Sequence, residues 1–154
     1  MPVTLPSYYQ NAPSRLADVT QTQLDLYNVV QQINGVTGSG IGYPTGQGVG
    51  GSVSQATDRS TAVTLNKLSG QITGQATSLA ASTSASFTVN NNLVNINDTI
   101  SIVVQSGPTP NTSVFTIAAV TNGTFVVRAS NLSTGTADTG APILNFNVIK
   151  GTAT

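Results

Sequence analysis

Residues 113–130, SVFTIAAVTNGTFVVRAS, decide how this chain is read. Apolar side chains recur at every second position on both sides of Asn122–Gly123: Phe115, Ile117 and Ala119 before it, Phe125 and Val127 after it. A period of two puts alternate side chains on opposite faces of an extended strand. Asn–Gly supplies the positive φ angles that a two-residue hairpin turn needs, so the two runs read as a β-hairpin. Arg128 falls on the outward phase of the second strand.

The same period recurs along the chain. SASFTVN (84–90) aligns Phe87 with Val89, and DTISIVVQS (98–106) aligns Ile100, Ile102 and Val104. ILNFNVIK (143–150) aligns Leu144, Phe146 and Val148; TAVTL (61–65) aligns Val63 with Leu65, and Ile72 lies in GQITG (70–74). Turn residues separate the runs: Asn90–Asn92, Ser106-Gly107-Pro108 and Thr139 to Pro142. Seven or eight short strands at near-regular spacing predict a mainly β fold over residues 52–154, an antiparallel β-sandwich of jelly-roll or Ig-like type.

Two other parts precede it. Residues 1–34 divide into an arm with Pro2, Pro6 and Pro13, and one predicted α-helix over 14–34. Ser14 is the candidate N-cap, Asp18 sits near the first turn where the helix dipole favours an anion, and Asn34–Gly35 supplies the stop. Leu16, Val19, Gln23, Leu26, Val30 and Ile33 follow a 3-4-3-4-3 spacing, the seam of a short heptad pattern with a polar residue at one core position. That seam packs either on its own domain or between parallel copies of the chain. In the arm, Val3, Leu5, Tyr8 and Tyr9 form a candidate docking segment. Residues 35–51, with eight glycines, read as a linker. Its glycines match neither a Walker A loop, which needs Gly-Lys-Ser/Thr, nor a dinucleotide fingerprint, which needs a strand before and a helix after.

Composition narrows the function. Only 6% of residues are charged, against about 25% in ordinary soluble proteins, and the net charge is +0. Nucleic-acid binding through phosphates needs clustered Lys and Arg, which this chain lacks. Cysteine and histidine are both absent, which removes disulfides, thiolate chemistry and the commonest general base and metal ligand. The opening residues have no basic region followed by an apolar core, so they do not read as a signal peptide, and no run approaches a membrane span. Asp58, Asp98 and Asp138 could form a calcium site only if the fold brought them together, because no local spacing links them. The Asp58–Arg59 pair reads as a solvent-exposed ion pair in a turn before the strand near 60–65. The chain therefore reads as non-enzymatic, with no cofactor and no metal.

GVGGSVSQATDRSTAVTLNKLSGQIT (48–73), the Ser86–Thr88 strand and the closing Phe146–Lys150 together resemble a group of tailed-bacteriophage virion proteins. The resemblance covers the β-domain and leaves the N-terminal third outside. It implies a virion surface role. The leading expectation is a capsid decoration or cement protein, a homotrimer bound to the major capsid protein or another virion protein. It would be made in the host cytoplasm and carried on the capsid surface, with no nucleic acid or membrane partner. The alternative is a head-fibre or tail-associated module that binds a receptor or carbohydrate.

Overall fold

The computed structural model describes residues 48–152. The docking arm (Val3, Leu5, Tyr8, Tyr9), the seam (Leu16, Val19, Gln23, Leu26, Val30, Ile33) and linker residues 35–47 lie outside the described residues. Within them the fold is mainly β, in two four-stranded sheets and without a helix.

The strands are β1 (Val49–Ser54), β2 (Val63–Thr64), β3 (Ser69–Thr73), β4 (Ser84–Asn90), β5 (Thr99–Ser106), β6 (Ser113–Thr121), β7 (Thr124–Asn131) and β8 (Ile143–Ile149). One sheet has the order β1-β3-β8-β5 and the other β2-β4-β7-β6. β1 starts at Val49, inside the stretch read as linker. Pairing is antiparallel except at one edge of each sheet, where β1 runs parallel to β3 and β2 parallel to β4. This corrects the expectation of an all-antiparallel sandwich. From β1 to β4 the chain passes to the opposite sheet at each connection, so alternate strands return in the same direction.

The predicted hairpin is present: β6 and β7 pair through Thr121↔Thr124 around Asn122–Gly123, although only Gly123, at φ 81°, takes a positive φ and Asn122 does not. The face of β6 differs from a strict alternation. A register shift between Ile117 and Ala119 adds a residue, so Val120 rather than Ala119 joins Phe115 and Ile117 against the core. A β-bulge of this kind moves one extra residue into a strand and switches its phase. β5 likewise shifts register after Val104, and Val104 is exposed instead of joining Ile100 and Ile102 inside.

The core lies between the sheets. Ile72, Leu144, Phe146 and Val148 meet Phe87, Val89, Phe125 and Val127, all at most 5% exposed. Phe125 and Phe146, one from each sheet, pack with ring centroids 5.4 Å apart and planes tilted by 53°. Offset or tilted ring pairs avoid stacking their negative faces and add to the burial gain. Phe125→Ala should therefore lower stability by about 3–5 kcal/mol, since no neighbouring strand can collapse into the space. Urea unfolding followed by circular dichroism measures this, and a loss below about 1 kcal/mol would show that the two rings do not anchor the core.

Candidate docking surfaces

Strand direction defines two ends. β1, β3 and β8 have their Val49, Ser69 and Ile149 ends together with Thr99, Asn90 and the β6–β7 turn; we refer to this as the lower end. The upper end gathers the β1–β2, β3–β4, β5–β6 and β7–β8 connections. Each end is closed by one buried carboxylate.

At the upper end, Asp138 has no exposed surface and Arg59 is 6% exposed. Their side chains meet at 3.2 Å, Arg59 Nη1 to Asp138 Oδ2. The guanidinium also donates to the carbonyls of Thr77, Asp138 and Gly140. Asp138 accepts from the Thr109 and Gly140 backbone N–H groups through Oδ1, and from the Ser113 hydroxyl at 2.6 Å through Oδ2. Its backbone pairs with Leu79. The exposed Asp58–Arg59 ion pair expected from sequence is thus not formed. Asp58 instead caps its own turn, accepting from the Ser60 N–H at 2.8 Å and the Thr61 hydroxyl at 3.0 Å. Neighbours in sequence point apart because a short polar side chain bonds locally in a turn. The long Arg59 reaches inward.

Two glycines let these connections approach. A β-carbon on Gly107 would stand 1.8 Å from the Ala141 carbonyl oxygen, and one on Gly140 would stand 1.8 Å from that of Gly107. Gln55, 3% exposed, completes the upper end: its amide donates to the carbonyls of Arg59 and Thr61 and accepts from the Gln75 N–H.

At the lower end, buried Asp98 receives the Lys150 ammonium and the backbone N–H groups of Asn95 and Gly151. Lys150 also donates to the Leu93 carbonyl at 2.8 Å. Asn91, fully buried, donates to the Lys67 carbonyl at 2.6 Å and accepts from the Leu93 N–H. Asn122 accepts from the Ile96 N–H at 3.0 Å. No buried side-chain polar atom among the described residues lacks a partner.

Both carboxylates are held below the usual aspartate range. For Asp98, burial pushes the pKa up, and the bonds from Lys150, Asn95 and Gly151 with the Lys150 charge more than offset it. For Asp138, burial again pushes up, while Ser113, Thr109, Gly140 and the Arg59 charge prevail. Asp58, Asp98 and Asp138 do not converge, and among the described residues no three acidic side chains could share a metal ion.

What faces outward is almost without charge. Arg128 is the only charged residue in the eight strands. The outer face of the β1-β3-β8-β5 sheet carries an amide row, with Gln71 donating to Gln105 at 2.7 Å and to Asn145 at 3.3 Å. The other sheet shows hydroxyls, such as Thr121 bonded to Thr124 at 2.6 Å and Thr64 accepting from Asn90. Exposed aliphatic side chains lie in three places: Val103, Val104 and Val114 on the edge strands β5 and β6, Leu93, Ile96 and Ile149 at the lower end, and Leu132, the most exposed of them, at the upper end. A shallow depression of about 320 Å³ lies near Ser82, Ser84 and Leu132 at the upper end and holds no charged or aromatic group. A scan against protein-family models and searches of curated proteins and of solved structures return no match to the chain.

Sequence reasoning singled out Asp98 and Asp138 only as possible calcium ligands and missed their partners, Lys150 and Arg59. One signal was available: where charge is this scarce, each Asp and each cation in a hydroxyl-rich domain has a specific partner to find. Arg59→Met should cost about 3–5 kcal/mol, because it leaves the Asp138 charge buried without its cation. Asp138→Asn should also destabilise, since an amide turned either way puts N–H₂ against groups that themselves donate. Both folded-state pKa values are depressed, so their stabilisation is complete above the unfolded value of about 3.9 and is lost as pH falls through the folded values. Urea midpoints measured from pH 7 down to pH 2 should fall for the wild type and fall less for Asp138→Asn; equal slopes would show that Asp138 does not govern acid unfolding.

Proposed function

We propose that this protein is a non-enzymatic structural component of a virion surface, a capsid decoration or cement protein that binds the outer shell as a homotrimer. The observation that carries the reading is the outward chemistry of the sandwich. Strand faces of Ser, Thr, Asn and Gln with a single arginine bury against a partner without stripping water from charges, the main penalty at charged interfaces. The inward chemistry supports it too. Both ends are closed by a buried carboxylate with all its hydrogen bonds satisfied, which braces the domain without disulfides, as a shell-reinforcing module needs. Of the two architectures expected, the passage of the chain between sheets at most connections favours the jelly-roll side. In an Ig-type sandwich the first two strands are neighbours in one sheet, whereas β1 and β2 lie in different sheets here.

The head-fibre or tail-associated binding module is the competing reading. The shallow depression near Ser82 is a poor cleft for it, since ligand pockets are ordinarily deeper and lined by apolar or aromatic groups. Quantitative mass spectrometry of purified particles separates the two. A decoration protein repeats with the shell and should be present at on the order of hundreds of copies per particle, following icosahedral symmetry. A few copies, matching a tail or one vertex, would overturn the decoration reading.

A further inference from the structure

We propose that the outer face of the β2-β4-β7-β6 sheet, centred on Arg128, is a docking surface for an acidic patch on another protein, whose carboxylate seats on the guanidinium. Arg128 is exposed and is the only charged residue in the eight strands. It stands on β7, between β4 and β6, so it occupies the middle of the face and not an edge. Its register partners are Ser86 on β4 and Thr116 on β6. Val126 and Ser130 lie two residues away along β7, on the same side of the sheet. These four side chains are short, so the guanidinium stands above its neighbours on a low, neutral surface. It makes no hydrogen bond or ion pair among the described residues.

Charge identifies the occupant. The described domain holds four cations and three aspartates. Arg59 pairs with Asp138 and Lys150 with Asp98. Asp58 accepts from the Ser60 N–H and the Thr61 hydroxyl in its own turn. No aspartate of the domain is left for Arg128, and the same face of a second copy would set guanidinium against guanidinium, a costly juxtaposition. The remaining cation, Lys67, follows β2 at the lower end; a β-carbon on Gly51, in the opposite sheet, would stand 3.7 Å from its Cγ. Lys67 therefore adds no second charge to this face. A lone guanidinium does not hold nucleic acid, which needs clustered cations. It matches one carboxylate, through two parallel N–H···O bonds. Arginine is also the cation enriched at protein interfaces, being less strongly hydrated than an ammonium, whereas lysine is depleted there. One charge steers little, so the pair acts on register and residence time more than on the rate of encounter. The inference rests on the particle-surface reading proposed above, which makes the partner another protein of the particle.

Phenylglyoxal modification of arginines, read by mass spectrometry, tests it on the full-length chain free in solution and on purified particles. Arg128 should be modified in the free protein and protected on particles, while buried Arg59 stays unreactive in both. Protection in the free protein would assign the face to a second copy of this chain, whose Asp18 and Asp25 lie outside the described residues, and would overturn the proposal. Equal modification of Arg128 on particles would overturn it too. Binding of the full-length chain to particles that lack it supplies a second readout. Arg128→Glu should weaken binding at least about ten-fold, Arg128→Lys should fall between it and wild type, and Lys67→Glu should bind as wild type. Thermal midpoints should be unchanged; if Arg128→Glu lowers its midpoint, Arg128→Ala replaces it. Binding of the Arg128 variant equal to wild type overturns the proposal. Copy number is read independently, so a few copies per particle with Arg128 protected would sink the decoration reading and leave this inference standing. Hundreds of copies with Arg128 open would do the reverse.

Discussion

The carboxylate of Asp138 has no contact with solvent, and the whole upper end closes on it. Taking an isolated carboxylate out of water costs several kcal/mol even after relaxation, and a single cation rarely recovers that. Here four donors converge: Arg59 from the β1–β2 connection, Thr109 from the β5–β6 connection, Ser113 at the head of β6, and Gly140 two residues on. No one of these loops has a hydrophobic core of its own. Their conformations are set by the need to present a donor to one point. The close crossing of Gly107 and Gly140 follows, because two backbones reaching for the same carboxylate run nearly into contact.

The lower end solves the same problem with a different cation. Lys150 is partly exposed, and the ammonium reaches Asp98 from the rim instead of being sealed with it. That difference follows from side-chain chemistry. A guanidinium has five donors in a planar fork and can be buried among carbonyls, as Arg59 is, whereas an ammonium is more strongly hydrated and keeps a path to water. Between the two ends the sheets need no polar device, since Phe125, Phe146 and their aliphatic neighbours fill the layer between them.

Much of this was legible in the sequence. The period-two runs located six of the strands nearly to the residue, and Asn122–Gly123 placed the hairpin, because local alternation and turn chemistry are written in adjacent residues. The bulge after Ile117 was not legible: Ala118 and Ala119 fit either face, so only the partner strand decides the phase. Nor were the parallel edge pairs, which depend on strands brought together across the other sheet. Arg59 was misread for a related reason. Its neighbour Asp58 is the obvious partner in sequence, while Asp138 lies 79 residues away. The scarcity of charge was legible, since that is a matter of composition. The seam and arm residues lie outside the described part of the chain.

Charge in the described domain is therefore directed inward, and this has a consequence for how it can associate. Four of its seven charged residues are paired in the two ends, and Asp58 is engaged in its own turn. Only Lys67 and Arg128 remain outside these arrangements. A surface of this kind generates little field, so a partner is not steered toward it and association proceeds at the unassisted rate, about 10⁵–10⁶ M⁻¹s⁻¹. It also lacks the like-charge contacts by which most proteins keep copies of themselves apart. Specificity must then come from shape, from main-chain and amide hydrogen bonds, and from small apolar contacts, each weak alone. Such contacts suffice when many are made together on a symmetric array, where binding at one site raises the local concentration at the next. A neutral, hydroxyl-faced domain is thus poorly suited to steering a rare partner in solution and depends on many weak contacts made together.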